Sequence, residues 1–311
     1  MATDAMNLSE LSKYFSDEDA ARALLENMRW NGNPTCPHCG GLNPYRLVAR
    51  KPGAKTRKGL WKCKACRKQF TVTVGTVFED SRIPISKWLL AIHLIGSSKK
   101  GMSAHQIHRM LGISYKAAWF MMHRLRYAMR SGPLADLLTG TVEVDETYVG
   151  GKRRMGLGEK AGKKDHKTPV VALVQRNGKV RVMPVERVTS ETLGEVMRKH
   201  IAPSATIMTD ELGAYRKAVV GFKKHKTVSH GVNEYVRGDA YTNTAEGFFS
   251  LLKRGINGTF HHVSKGHLSR YCDEFEFRYN NRTTSDGERG KLLVQAAEGK
   301  RLTFKQPARA S

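Results

Sequence analysis

The spacing of apolar residues changes period twice along the chain, and each change predicts a boundary between elements of different kind. Ser16, ahead of the acidic Asp17-Glu18-Asp19, marks a helix start, and Ala20, Leu24 and Met28 follow at helical spacing. Short β-prone runs come next, Tyr45-Arg-Leu-Val and Gly59-Leu-Trp-Lys, on either side of a basic loop. From Ile85 to Met129 the period is helical. Trp88, Leu89, Ile92 and Ile95 form one stripe, and Ser103 opens a second helix carrying Ile107 and Leu111. Gly112-Ile113-Ser114 makes a tight turn into a third helix, Tyr115 to Met129, which is helix-turn-helix organisation. That helix sends Ala118, Met121, Met122 and Leu125 to the core and leaves His123, Arg124, Arg126 and Arg130 as a basic face able to meet DNA.

Beyond residue 140 the pattern alternates as strands do. Strands are predicted at Thr141–Val149, Pro169–Gln175, Lys179–Val185 and Ala205–Thr209, with a short one from Lys226. Asn177-Gly178 is a hairpin turn. Helices are predicted at Ser190–His200, at Glu211–Val219 and from Asn243, and Tyr271, Phe275 and Phe277 form an aromatic helical pattern after them. The Gly- and Lys-rich run from Gly150 to Lys167 is too polar to bury. Residues 283–311 are polar and basic and read as frayed. The order β-β-β-α-β-α-β-α has a topological consequence. A three-strand meander followed by a right-handed crossover helix lays the fourth strand parallel to the first and beside it.

Composition adds a partner. Lys and Arg number 53 against 28 acids, a net charge of +25, and so large an excess points to a polyanion, with double-stranded DNA the leading candidate. No apolar run approaches the roughly 18 residues of a membrane span, and the N-terminus lacks the basic and apolar regions of a leader, so the expected location is cytoplasmic, without a membrane partner. In that reducing compartment cysteines at metal-ligand spacing bind metal. Cys36-Pro-His-Cys39 and Cys63-Lys-Ala-Cys66, separated by 23 residues, supply four thiolates for structural Zn²⁺ in a zinc ribbon. His38 reads as a solvated knuckle residue and Cys272, within an aromatic helix, as packing.

The candidate chemistry lies in three acids. Val142-Glu-Val-Asp145 and Ala205-Thr-Ile-Met-Thr-Asp210 each deliver a carboxylate at or near a strand end, and the predicted parallel pairing makes Asp145 and Asp210 neighbours across 64 intervening residues. Two carboxylates so placed repel unless a cation screens them, and an oxygen-only ligand set suits Mg²⁺ or Mn²⁺. Glu246, one turn into the helix from Asn243, completes a site for two metals roughly 3.5–4 Å apart, the arrangement that serves phosphodiester transfer. Either Glu246 or Asn243 can supply the third group. Lys253, two helical turns beyond Glu246, points along the same face toward a DNA phosphate. Glu143 and Glu146 read as solvated charges beside Asp145, and His230, His261 and His262 as surface or hydrogen-bonded residues.

Taken in order, Cys-Pro-His-Cys, Cys-Lys-Ala-Cys, the helix-turn-helix, Val-Asp-Glu-Thr-Tyr-Val-Gly-Gly-Lys, Thr-Asp-Glu, Asn-Thr-Ala-Glu-Gly-Phe-Phe-Ser-Leu-Leu-Lys-Arg and Tyr-Cys-Asp-Glu-Phe-Glu-Phe-Arg-Tyr-Asn-Asn-Arg resemble the ISXO2-like transposases of the IS1595 family, over residues 16 to 290. The resemblance implies an α/β fold: an RNase H-like catalytic core, a mixed five-stranded sheet with helices, preceded by a zinc ribbon and a helix-turn-helix domain. It implies a DDE-type triad with Asp145 first, Asp210 second and Glu246 third, Asn243 remaining the alternative, with Lys253 as the accompanying basic residue. It further implies Mg²⁺-dependent action on the terminal inverted repeats of an insertion sequence in bacterial, nucleoid-associated form. The expected boundaries are 7–78 for the N-terminal helix and ribbon, 79–132 for the helix-turn-helix domain, 138–290 for the catalytic domain and 291–311 for a basic tail. Strand transfer holds two DNA ends at once, so a homo-oligomer on DNA is expected. The competing readings are a DNA-binding regulator with an inactive core and an RNase H-like nuclease.

Overall fold

The computed structural model describes residues 8–14, 16–48, 57–132, 136–150, 167–228 and 242–304. The basic loop around residue 50, the Gly- and Lys-rich run apart from its ends, and His230 lie outside them. The chain forms two compact units, Met1–Arg130 with Thr283–Pro307, and Ser131–Arg282.

The first unit begins with α1 (Leu8–Ser12) and α2 (Glu18–Trp30). Asp17, rather than Ser16, caps α2, its carboxylate accepting from the amides of Asp19 and Ala20. The buried stripe is accordingly Ala21, Leu25 and Met28, one position on from that expected at its first two members. The strands β1 (Pro44–Arg46), β2 (Trp61–Cys63) and β3 (Gln69–Phe70) form a small antiparallel sheet. Trp30 of α2 meets Trp61 and Phe70 edge-on at 5.7 and 6.2 Å, and Trp61 Nε1 donates to Glu26 of α2 at 3.1 Å. The ribbon is therefore packed against the preceding helix.

Three helices follow as expected: α3 (Ile85–Ser97), α4 (Ala104–Leu111) and α5 (Tyr115–Met129). Pro84 has no side chain to cap α3, and the Glu18 carboxylate substitutes, accepting from the amides of Ile85 and Ser86 at 2.6 and 3.2 Å. Ser103 and Gln106 form a reciprocal capping box at α4. Gly112, at φ 58°, makes the left-handed turn into α5, which Ser114 caps.

The basic face expected on α5 is not where the sequence puts it. His123, Arg124 and Arg126 are buried, and only Arg130 of the four is exposed. Arg124 lies over the Phe120 ring and donates to the carbonyl of Leu302, so the returning chain end covers that face. The exposed part of this motif is its turn side instead: His105, Arg109 and Met110 of α4, and Tyr115 and Lys116 at the start of α5, with His105 stacked on Tyr115 at 4.3 Å.

The second unit contains β4 (Thr141–Val149), β5 (Thr168–Gln175), β6 (Val180–Pro184), α6 (Ser190–His200), β7 (Thr206–Thr209), α7 (Tyr215–Ala218), β8 (Lys224–Thr227), α8 (Asn243–Gly255), a π-helical turn at Ile256–Phe260, and α9 (Lys265–Asn280). Its sheet has the order β6-β5-β4-β7-β8, antiparallel through β4 and parallel beyond it, which is the RNase H-like arrangement. Asn177, at φ 57°, turns the β5–β6 hairpin. Val170, Ala172 and Val174 pack against α8 and α9, while Val142, Val144, Val171 and Leu173 pack against α6 and α7. Both faces of the central strands are thus covered, as a period of two requires. The helix expected from Glu211 is shorter, because Asp210 accepts from the Leu212 amide and holds the chain in a turn.

After α9 the chain returns to the first unit as α10 (Asp286–Ala296), capped by Ser285. The tail expected from residue 291 is therefore helix in its first part, and the boundary at 290 falls inside that helix. Leu293, Val294, Ala297 and Leu302 are buried, a small apolar stripe that the polar composition around it conceals.

Candidate zinc and active sites

The four cysteines converge. Their sulfurs all lie within 4.8 Å of one another, with Cys36–Cys66 at 3.7 Å and Cys39–Cys63 at 3.6 Å. A tetrahedron with Zn–S bonds of about 2.3 Å has edges near 3.8 Å, so the donor set fits Zn²⁺. The amide of Cys66, above all, draws the Cys63 thiol down to about 7, toward the thiolate that metal needs. The site ties the knuckle ahead of β1 to the one between β2 and β3, and Phe70 packs beneath it.

The acids are positioned by the sheet. β4 and β7 pair in parallel as far as Glu143 opposite Met208, which brings Asp145, two residues on, and Asp210, just past the end of β7, to the same end of that pair. Burial first, and then the charges of Glu146, Asp210 and Glu246, raise Asp145 to about 7 despite the Glu146 amide that it accepts at 2.8 Å. Glu246, exposed one turn into α8, is therefore within electrostatic reach of Asp145. With a pKa near 7 this carboxyl is about half protonated at neutral pH until a cation displaces the proton, and an oxygen-only set suits Mg²⁺ or Mn²⁺, but among the described residues it is the four cysteines, not these acids, whose donor atoms all lie within 4.8 Å of one another. Asn243 and Lys253 are exposed on the same helix.

Neither of the acids read as solvated is so. Glu143 is completely buried, and its carboxylate accepts from the amides of Thr244 and Ala245, the Thr244 hydroxyl and Arg176 Nε at 2.7–3.0 Å. Thr242 makes no side-chain cap for α8, so an acid from the neighbouring strand caps it instead. Glu146 is half-buried on the opposite face, accepts from Tyr215 Oη at 2.5 Å, and has its pKa raised by burial and by Asp210. The missed signal was the alternation itself: an acid at 143, between Val142 and Val144 in a strand covered on both faces, has no solvent to enter and must be partnered. Arg278 and Glu274 pair at 2.6 Å within α9, so the arginine in that closing helix is structural.

Comparison with known proteins bears directly on this arrangement. Residues 137–280 match the ISXO2-like transposase domain and residues 16–69 match the transposase zinc-ribbon domain. An uncharacterized protein in transposable element ISH50 of Halobacterium salinarum is 29% identical over 86% of this chain and 92% of its own length. An uncharacterized transposase-like protein of Haemophilus influenzae is 28% identical over 33% of this chain and 82% of its own. Among solved structures, a pre-cleavage Mos1 transpososome aligns over 68% of this chain and 79% of that one, with 12% identity and a TM-score of 0.21. With both of its characteristic domains present in order and a relative matched nearly end to end, the chain belongs to the IS1595 family of insertion-sequence transposases.

Proposed function

We propose that the chain binds the terminal inverted repeats of an insertion sequence and catalyses Mg²⁺- or Mn²⁺-dependent DNA cleavage and strand transfer. The observation that supports this reading is the parallel pairing of β4 and β7, which carry Asp145 and lead into Asp210, with both Asp210 and Glu246 close enough for their charges to raise Asp145. Bound divalent cations supply activation of water or a 3′-hydroxyl and neutralise the leaving oxygen. The chain's own part is to hold those ions. Asp145, Asp210 and Glu246 do so with carboxylate oxygens, and Glu246 takes the third role ahead of Asn243 because its charge acts on Asp145. Lys253 holds a DNA phosphate about 10 Å along the helix from Glu246. The turn side of the helix-turn-helix, with Tyr115, Lys116, His105 and Arg109, replaces Arg124 and Arg126 as the surface for duplex DNA, with Arg130 kept as a phosphate contact. Two DNA ends require two such chains, so the working form is a homo-oligomer on DNA.

Asp145→Asn is expected to reduce cleavage of DNA bearing the element's own ends by roughly a thousandfold or more while leaving duplex binding in place. Full Mg²⁺-dependent cutting and joining by this variant would remove the assignment. Digestion of RNA/DNA hybrids without joining would favour a nuclease instead.

Proton and metal compete at this site. Asp145 titrates near 7 in the fold against an ordinary 3.8, so between those values the folded state keeps a proton that the unfolded chain releases. Without metal, stability therefore falls as pH rises through that window. A divalent cation displaces the proton, so its apparent affinity rises about tenfold per pH unit up to neutrality and levels off above. Titration of Mn²⁺ at pH 5, 6, 7 and 8, followed by calorimetry, should trace this curve in the wild type and a flat one in Asp145→Asn.

A further inference from the structure

A cleft of about 520 Å³ opens where β4 ends and β5 begins, lined by Tyr148, Lys167, Thr168, Pro169, Arg187 and Lys265, with Glu186 and Val188 at its edge. Tyr148 is half exposed although it lies in a strand whose other members are largely covered. Pro169 lies directly opposite it in the ladder, so the phenol and pyrrolidine rings sit side by side as an apolar floor. Three cations surround that floor, and the single carboxylate, Glu186, is already held by Lys265 at 2.8 Å. We propose that this cleft holds one unpaired nucleotide of single-stranded DNA flanking the reacting phosphate, its base stacked on Tyr148 and its phosphates held by Lys167, Arg187 and Lys265.

Size, charge and position argue for that occupant. A volume of this order suits a ligand of one nucleotide and is far too small for a duplex. Bases inside a duplex present their edges, whereas an aromatic platform ringed by cations matches an unstacked base with its phosphates. Tyr148 stands three residues beyond Asp145, about 10 Å along β4, and by strand alternation on the other face of the sheet. The cleft thus lies toward the same end of β4 as the acid, where an unpaired strand leaving the site would pass round the end of the sheet. This inference rests on the transposase reading and names the state of the substrate strand at its site.

The test uses the full chain without added Mg²⁺ and fluorescence anisotropy on a short random-sequence duplex, either blunt or carrying a few unpaired thymidines at one 3′ end. Wild type should bind the overhang form more tightly. Tyr148→Ala should weaken that form by roughly ten- to a hundredfold and leave the blunt form unchanged, and Tyr148→Phe should behave as wild type. Lys265→Ala should lower the salt slope by about 0.7, on the overhang form alone. Equal binding of both forms by wild type, equal loss on both in Tyr148→Ala, or failure of Tyr148→Phe to restore binding would each overturn the proposal. Its failure is separable from that of the enzyme reading. Wild type that cuts element ends, with Tyr148→Ala still preferring overhangs, refutes the cleft alone; wild type that cuts nothing in any divalent metal refutes the transposase assignment.

Discussion

A chain ended after Arg282 is expected to lose the cooperative unfolding of its N-terminal unit, and DNA binding by that unit with it. The reason is that the unit is discontinuous. α10 and the residues after it bury Leu293, Val294 and Leu302, and each such side chain contributes about 1.5–3 kcal/mol. Even as an upper bound that total is comparable with the 5–15 kcal/mol of a whole domain. The polar contacts are as specific as the apolar ones. Arg289 donates to the Gly96 carbonyl at the end of α3 at 2.7 Å, and Arg29 of α2 grips Glu298 through two bonds of 2.5 and 2.7 Å. Lys300 caps the carbonyls of Ala128 and Arg130 at the end of α5, at 2.7 and 2.6 Å. Gly96 sits 3.8 Å from the α10 backbone by the position of a Cβ that it lacks, so the two helices approach closely there. Hydrogen exchange of the α3 amides is the measurement. They should exchange freely in the truncated chain while the β4–β5 amides of the second unit remain protected. Retained α3 protection, together with unchanged duplex binding, would show that the returning segment is dispensable.

That dependence also marks where the sequence stops being legible. The cysteine pairs, the helix-turn-helix and the strands were readable because each rests on local rules: ligand spacing, capping residues, a period of two. The order of strands followed from one rule of handedness, which set β7 parallel to β4 and beside it. What stayed hidden depends on contacts between distant segments. Arg124 looked exposed because nothing near it in sequence covers it, yet Leu302, 178 positions on, accepts its hydrogen bond. Glu298 and Lys300 looked like tail charges until their partners in α2 and α5 were present. Glu143 looked like one more acid beside a catalytic one, although its burial was implied by Val142 and Val144.

Glu143→Ala is expected to be the most damaging single substitution in the catalytic unit. Removing the carboxylate leaves Arg176, largely buried, and the amides of Thr244 and Ala245 without the group that satisfies them, a loss of about 3–5 kcal/mol for one partner of a buried pair. In a unit of this size that lowers the melting temperature by roughly 10 °C or more. The functional loss should exceed the structural one. Glu143 and Asp145 share a face of β4, two residues apart, and the helix that Glu143 caps carries Glu246 at the next position after Ala245. One buried carboxylate therefore sets the spacing between the first acid and the third. Glu143→Gln, nearly isosteric but neutral, should fold, melt at an intermediate temperature, and bind Mn²⁺ more weakly at a temperature where it is fully native. Glu246→Gln provides the contrast, with cleavage lost and the melting temperature within a few degrees of wild type. If Glu143→Ala melts with the wild type, or Glu143→Gln binds Mn²⁺ with undiminished affinity, then α8 is held to β4 by its apolar face alone, through Ala245, Phe248, Phe249 and Leu252. The carboxylate at 143 would then have no part in placing the third acid.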